Sequence, residues 1–387
     1  MKYCSRKSPA PDVQVFDTVA QLPANWDDRL PDRHFLRKET LLIHEQTNLP
    51  DMRTMYAGIA KDGQWLAQAA FQVLTLKDKH LNDRSVNACQ RVAWNLFSKT
   101  IRPKLLVAGQ LFRHDVQSFY WPRDIGPFDA FHYFQQIIEA ASKAACAHAV
   151  LVKETPAAFV PYFLHHAPEY MMLRNDSSMQ LKLPAAWETF KDYEKALKHK
   201  YAQRLRKVRQ PWAGLEIKEL TATEVRDHAD RIYELYLQVT QRQPVRLGLL
   251  SKDFIPALKS FYGDKLKVWG IYEAGRMIAF ASAWVQDSSF DMFYIGFDYE
   301  RNAALNLYFN ILYFSIEQAI LLRKPQLILG RTALEAKARV GCRPEYLHTF
   351  LFIRNAGVRN IVSKMQQRFS EDSSEWENRH PFKNDDV

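Results

Sequence analysis

A chain of 387 residues with 47% hydrophobic and 25% charged residues has a globular composition and is long enough for two domains of ordinary size, each with its own core. It has no charge-free apolar run of about eighteen residues, and its polar start, Met1 to Pro11, has no apolar segment behind it, so neither a spanning helix nor a secretory signal is expected. The formal charge of +10 favours encounter with phosphates, nucleic acid or acidic lipid, while the scattered Cys4, Cys89, Cys146 and Cys342 show neither a disulfide framework nor metal-site spacing, which suits a reducing cytoplasm.

The first clear element is Tyr56 to Val73, YAGIAKDGQWLAQAAFQV, which reads as a hairpin with glycine at its turn. An insertion, Lys77 to Lys104, follows. Its segment Asn82 to Arg102 sets Val92, Trp94, Leu96 and Phe97 among Arg91, Lys99 and Arg102, an amphipathic element that either packs over its own domain or touches a membrane or acyl chain. Then come a strand, Leu105 to Leu111, and a loop of turn formers, Trp121 to Pro127, that is an acceptor-site candidate. A helix, Phe131 to Ala145, is next, with Phe134, Ile137, Ile138 and Ala141 on one face, followed by a strand, Ala149 to Lys153. His165-His166 lacks a further carboxylate or histidine at ligand spacing and reads as structural.

Pro184 to Pro211 is helical and charged and reads as the domain junction. Within it KHKYAQRLRKVR carries Lys198, Lys200, Arg204, Arg206, Lys207 and Arg209, which either neutralise phosphates of an anionic donor or form a solvated face. The second half reads as strand Leu215 to Leu220, helix Val225 to Val239, helix Asp253 to Tyr262 and hairpin Lys265 to Val285. Strand Phe290 to Asp298, helix Leu305 to Leu322, strand Gln326 to Gly330, short helix Leu334 to Val340 and last strand Tyr346 to Ile353 complete it. Arg242 and Arg246, in QRQPVRLG, are a second anion candidate.

The second hairpin repeats the first. Gly58, Ile59, Gly63, Ala67 and Ala69 fall on Gly270, Ile271, Gly275, Ala279 and Ala281, every pair 212 positions apart, which reads as a duplication. The expected division is 1–185, 186–362 and a frayed polar tail, 363–387. Hairpin and third strand, then a crossover helix into a parallel strand, make each half a mixed sheet with helices on its faces.

The run Leu329-Gly330-Arg331-Thr332-Ala333-Leu334-Glu335-Ala336-Lys337-Ala338-Arg339-Val340-Gly341 resembles the strand-turn-helix segment of the Fem-like and BioF2-like branch of the GNAT superfamily, and Lys198 to Arg209 resembles the basic helix that opens the second domain there. The resemblance implies an α/β fold of two tandem GNAT-like domains. It also implies transfer of an acyl or aminoacyl group, from acyl-CoA or aminoacyl-tRNA, to an amine. It places the Lys337 ammonium near the departing donor atom, and it makes the sheet edge bearing Tyr294 and Asp298, which share a strand face by their even spacing, the place where the acceptor loses a proton. Arg331, Asn302, Asn306, Lys200 and Arg204 are the donor-binding candidates, Arg331 through its planar fork unless Glu335 takes it.

One departure stands out. Where an ordinary GNAT holds the CoA pyrophosphate on a Gly-rich loop, this chain has Asp298-Tyr299-Glu300-Arg301-Asn302-Ala303-Ala304-Leu305-Asn306, without glycine. The leading expectation is an N-acyltransferase using acyl-CoA on a small-molecule amine in the cleft between the halves, without a metal and as a monomer. The enzymatic alternative is a Fem-like aminoacyltransferase using tRNA on a cell-wall precursor, although no long antiparallel helical arm is seen. The alternative from another class is a non-catalytic anion- or nucleic-acid-binding protein on a decayed scaffold. A G-x-S-x-G elbow is absent, which speaks against a serine hydrolase.

Overall fold

The computed structural model describes residues 12–32, 34–47, 51–77, 102–113, 116–173, 177–242, 249–372 and 379–383. The amphipathic candidate Asn82 to Arg102, except its last residue, and Arg246 lie outside the described residues. The strands are β1 (Asp12–Phe16), β2 (Met52–Lys61), β3 (Gln64–Thr75), β4 (Lys104–Ala108), β5 (Phe119–Tyr120), β6 (Ala149–Val152), β7 (Met171–Leu173), β8 (Ser177–Lys182), β9 (Glu216–Glu219), β10 (Leu266–Glu273), β11 (Arg276–Val285), β12 (Ser289–Phe297), β13 (Gln326–Gly330), β14 (Arg343–Tyr346) and β15 (Thr349–Ile353). They form two sheets, β1-β2-β3-β4-β6-β15-β7 with β5 beside β3, and β14-β8-β13-β12-β11-β10-β9.

The two hairpins share more than sequence. Asp62-Gly63 and Ala274-Gly275 all have positive φ, between 48° and 78°, so both turns have two left-handed central residues, the form that matches strand twist. The register shifts after Ile59 in one hairpin and after Ile271 in the other, which is the same place in the repeat. The sequence repeat thus coincides with a repeat of local geometry, down to the bulge.

The helices are α1 (Lys38–Gln46), α2 (Pro127–Ala145), α3 (Val160–His166), α4 (Phe190–Ala196), α5 (His199–Arg209), α6 (Ala222–Asp227), α7 (Ala229–Thr240), α8 (Phe254–Tyr262), α9 (Tyr299–Leu305), α10 (Leu307–Leu321), α11 (Leu334–Ala338) and α12 (Ala356–Asp372). α2 joins β4, by way of the short β5, to the parallel β6, and α9 with α10 join β12 to the parallel β13, each chain segment crossing over the sheet as parallel pairing demands. The apolar face read on Phe131 to Ala145 buries Phe131, Phe134, Ile137, Ile138 and Ala141 in the first core. α10 buries Leu312, Ile316, Ala319 and Ile320 in the second.

Each sheet takes one strand from the other half of the sequence. β15 lies between β6 and β7, and β8 lies between β13 and β14. The segment read as one last strand, Tyr346 to Ile353, is thus two short strands in different sheets. Correspondingly, neither compact unit is continuous. One runs from β1 through β7 and takes back β15; the other runs from β8 through β14 and ends with residues 379–383.

The frayed end expected from Ser363 is not what the described residues form. α12 extends to Asp372, and Phe382 is buried, bridged to Leu197 by backbone pairing. Burial of the ring, about 1.5–3 kcal/mol, acts together with backbone bonds on either side of it, Lys198 N–H to Pro381 O and Lys383 N–H to Ala196 O.

The sheets differ at one point that matters. β4 and β6 pair from Leu105 and Ala149 through Ala108 and Val152, and Lys153 N–H continues the ladder to Ala108 O at 2.9 Å. β12 pairs with β13 only from Ser289 to Asp291, then runs six residues further, to Phe297, without it. In the second sheet one strand, β12, thus runs on unbroken past its parallel partner, whereas in the first β4 ends with its pairing and the separate β5 takes its place beside β3.

Phe350 of β15 stacks on Phe163 of α3, ring centroids 4.6 Å apart, inside the first core. Phe350→Ala is expected to cost the first unit about 3–5 kcal/mol. Hydrogen exchange should show this as lost protection at β4 and β6 amides, with β10 to β13 unchanged; equal loss in both sets would refute the sheet assignment.

Candidate active site

The site is built where β12 leaves β13. Ala281 pairs with Ile295 and Ala283 with Met292, so two residues of β12, Phe293 and Tyr294, oppose the single Ser282. Ser282 is fully buried and its hydroxyl fixes this bulge from both sides, accepting from Tyr294 N–H at 3.0 Å and donating to Tyr294 C=O at 2.7 Å. Beyond the bulge Gly296 lets α7 lie directly on the strand. A Cβ there would be 2.5 Å from the Leu235 carbonyl carbon and the Tyr236 nitrogen.

Tyr294 and Asp298 do share a face with Gly296, the one α7 covers. The Tyr294 ring meets Tyr236 edge-on at 5.6 Å, and burial raises its pKa well above 10, so at neutral pH it is a phenol and not a base. Asp298 lies just past the strand as the N-cap of α9, accepting from Glu300 N–H at 3.1 Å, with Arg231 and Arg276 within 3.9 Å.

The glycine-free run Asp298 to Asn306 forms a helix in place of a loop. This is α9, a helix the sequence reading did not expect, and it meets α10 at Asn306, whose φ of 51° supplies the left-handed joint that glycine supplies elsewhere. Asn302 Oδ1 accepts from Tyr308 N–H at 3.0 Å, so a side chain occupies one of the amides at the start of α10. Asn310, fully buried in the next turn, donates from Nδ2 to Val208 O and Leu305 O, both at 2.9 Å, and so ties α5 to this joint.

Cations gather around the same joint. Arg204 of α5 lies over Phe309 at 5.1 Å, and Arg242 lies over Tyr299 at 3.7 Å. α5 buries Ala202, Leu205 and Val208 and exposes Lys200, Arg204, Arg206 and Lys207. Arg206 pairs with Glu194, and Arg209 with Glu317, while Lys198, Lys200, Arg204 and Lys207 have no carboxylate partner among the described residues. The basic cluster is thus partly a paired surface and partly unspent positive charge.

Lys337 is the decisive side chain. It lies on the five-residue α11 that follows the end of β13, yet only 4% of it is exposed, so it is not the solvated lysine that a short helix usually carries. Nζ donates to Gly330 O at 3.2 Å and has no carboxylate partner among the described residues. Glu335, on the same helix, is held by Arg339 and Arg379 and not by Arg331. Burial therefore pushes the Lys337 ammonium down to about 8, and the neighbouring Cys342 thiol up to about 12. Tyr308, in the first turn of α10, lies in the electrostatic reach of Cys342 and is itself raised by burial.

The structure therefore gathers Arg204, Asn302 and Asn306 about the first turn of α10, while Lys337 lies against Gly330 at the β13 end, where Arg331 follows. Tyr294 and Asp298 stand on the α7 face of β12, and Lys200 is on the exposed side of α5. The loop Trp121 to Pro127 belongs to the first unit, where Trp121 stacks on Phe159 at 4.9 Å. His166 packs edge-on against Phe128.

With this geometry in place, the comparisons are informative. The FemAB-like family, described as peptidoglycan biosynthesis/recognition, matches residues 132–384. The chain belongs to the FemAB-like family. Its fold is α/β, with two mixed sheets and helices on their faces. Similar solved structures include the C-terminal domain (DUF2156) of a putative lysylphosphatidylglycerol synthetase from Agrobacterium fabrum, at 14% identity, covering 89% of this chain and 95% of that one, TM-score 0.48. FemX is similar at 7% identity, 80% and 90% coverage and TM-score 0.48. A tandem GNAT protein from the clavulanic acid biosynthesis pathway is similar at 9% identity, 89% and 99% coverage and TM-score 0.48. No curated protein matches.

Two residues of this FemAB-like chain escape the sequence reading. Ser282 is the only polar residue in the apolar strand core MIAFASAWV, a signal that was present but easily taken for packing. Phe382 is an aromatic isolated in a charged end, which composition alone dismisses.

A lysine held at about 8 in the fold and near 10.5 in the unfolded chain lowers stability. The unfolded chain binds more protons between those values, so the penalty is full below about pH 8 and disappears as pH rises toward 10.5. Its size is about 3 kcal/mol. Lys337→Met is expected to raise stability at pH 7 by about 2–3 kcal/mol, the advantage shrinking by pH 10, as read by urea unfolding at both pH values. A less stable variant at pH 7 would show that the amine is a structural donor.

Proposed function

We propose that the chain is an N-acyltransferase that moves an acyl group from an activated donor to an amine acceptor at the parted end of the second sheet. The observation that carries this is a buried lysine, without a carboxylate partner, beside the strand end where β12 and β13 separate. Membership of the FemAB-like family supports the same class of chemistry.

In this reading the neutral acceptor amine attacks the acyl carbon. A C–N bond forms, the bond from that carbon to the donor sulfur or oxygen breaks, and Lys337 gives a proton to the departing atom. The proton shed by the attacking nitrogen restores Lys337, so protons balance over one turnover. A group titrating near neutrality is well matched to such an exchange. Asp298 and Tyr294 frame the acceptor side, Asp298 as the charged neighbour and Tyr294 as a phenolic hydrogen-bond donor.

The donor is an acyl-CoA or a similar thioester, bound by Arg331, Arg204 and Lys200 with Asn302 and Asn306 shaping the turn. A second reading, an aminoacyl-tRNA donor, is favoured by one observation. Asn302 already occupies the Tyr308 amide that a compact pyrophosphate cradle would use, whereas a polyanion needs only the cations around it.

Thermal-shift titration with CoA, acyl-CoAs of rising length and charged tRNA separates these donors, because a ligand that binds only the folded state raises its apparent stability. Once the donor is identified, Lys337→Met is expected to lower kcat by about 10²–10⁴ and to remove the loss of activity on the alkaline side of pH 8. Unchanged turnover ends the assignment. Salt-dependent RNA retention with no turnover on any donor would instead support a non-catalytic binding protein.

Arg204→Gln and Arg242→Gln test the anion surface. Each is expected to weaken donor binding and, for a nucleic-acid donor, to lower the slope of log affinity against log salt by about 1. Slopes identical to the parent would remove these two side chains from the donor site.

A further inference from the structure

The last described residues, 379–383, cross the second unit as a strap. Lys198 N–H donates to Pro381 O at 2.8 Å and Lys383 N–H to Ala196 O at 2.9 Å, so backbone bonds fasten the strap across the junction of α4 and α5. Phe382 pairs with Leu197 and is only 4% exposed, its ring lying among Trp187 at 5.9 Å and Tyr193 at 5.8 Å.

What that ring rests on is the turn that ends α11. Gly341 has φ of 101°, and a Cβ there would be 2.3 Å from a Phe382 ring carbon, so the ring sits directly on the Gly341 backbone. Tyr193, packed against the same ring, donates its hydroxyl to Val340 O at 3.0 Å. Val340 and Cys342 N–H both return to Lys337 O at 3.1 Å. Arg379, at the other end of the strap, holds Glu335, two residues before Lys337, at 3.1 Å.

A five-residue helix has too few internal bonds to hold itself. We infer that the strap 379–383 positions Lys337, with Phe382 and Arg379 clamping α11 from its two ends so that the amine stays against Gly330 and out of water. Phe382 and Arg379 are positioning residues. Their importance for turnover rests on the reading of Lys337 as the reacting cation, whereas the clamp itself does not.

The groups around the amine leave burial as its main influence. On α11, Glu335 is taken by Arg339 and Arg379. Cys342, Tyr308 of α10 and Tyr193 of α4 are all held un-ionised by burial. β14 contributes Arg343 and Glu345, and β8 contributes Lys182.

The test follows the amine directly, using protein labelled with ¹³Cε-lysine, with the Lys337 signal assigned by its loss in Lys337→Arg. In the parent the signal should titrate near 8. In Phe382→Ala the midpoint should rise by about one unit or more toward the ordinary lysine value, while Phe382→Leu, which keeps an apolar plug, should stay within about half a unit of the parent. A folded Phe382→Ala protein with an unmoved midpoint overturns the inference, and so does an equal rise in Phe382→Leu. Should Phe382→Ala not fold, Arg379→Gln takes its place: amide exchange over Lys337 to Cys342 should quicken about tenfold, and unchanged exchange is fatal. No substrate enters these measurements, so a failed clamp and a failed transferase reading are told apart by the turnover of Lys337→Met.

Discussion

The second sheet depends on β8, a strand that pairs with β13 on one side and β14 on the other. Because β8 lies between them, the chain leaving β13 must pass over it to reach β14, and α11 is that passage. β13 ends at Gly330 with φ of 77°, and Ala333 at 54° turns the chain again into the helix. The passage is short, so Lys337 is carried onto the sheet and loses water whether or not a counter-charge is there to receive it. Its depressed pKa is a consequence of topology before it is a matter of local side chains.

The two sheets differ at the corresponding strand ends. At the equivalent end of the first sheet the ladder runs on to Lys153, and Gly109 lies so close that a Cβ there would be 2.8 Å from the Lys153 Cβ. Lys153 is itself paired with Glu154, so its charge is compensated. In the second sheet β12 runs on past its pairing with β13, and Lys337 has no carboxylate partner among the described residues. Parting strands forgo ladder hydrogen bonds and an unpaired buried amine costs stability, and natural chains keep such costs where they serve function.

Much of this fold was legible in the sequence, for identifiable reasons. The hairpins announce themselves because a left-handed two-residue turn needs particular residues, and Gly63 and Gly275 supply them in the same frame. The crossover helices show because a sheet demands an apolar face of them. β8, β14 and β15 are a different matter: their partners lie far away in sequence, and strands of four to six residues carry too little pattern to say which sheet they join. Nor does LEAKA disclose its burial, since the helix reads as exposed and its water is excluded by β8, β14 and a strap from the chain's far end. The candidates Lys337, Arg331 and Arg204 came from motif and charge; the burial that gives Lys337 its chemistry is a tertiary property.

The donor question turns on how the start of α10 is satisfied. Glycine would leave backbone amides open to a compact anion and add almost no bulk. Here Asn306 makes the same turn with a side chain, Asn302 caps the helix from within, and Asp298 caps the helix before it. In the proposed reading side-chain cations would take the place of a pre-formed cradle, and Arg204 and Arg242 lie over rings, with no carboxylate partner among the described residues. Cations of that kind attract phosphates without a fixed cradle, and their attraction, summed over the charges they meet, falls with salt, which is what keeps the aminoacyl-tRNA reading beside the acyl-CoA one. Under the proposed transferase reading the capped joint need not mark decay of the site: it would change which part of the donor is held, with the transfer step assigned to the buried lysine.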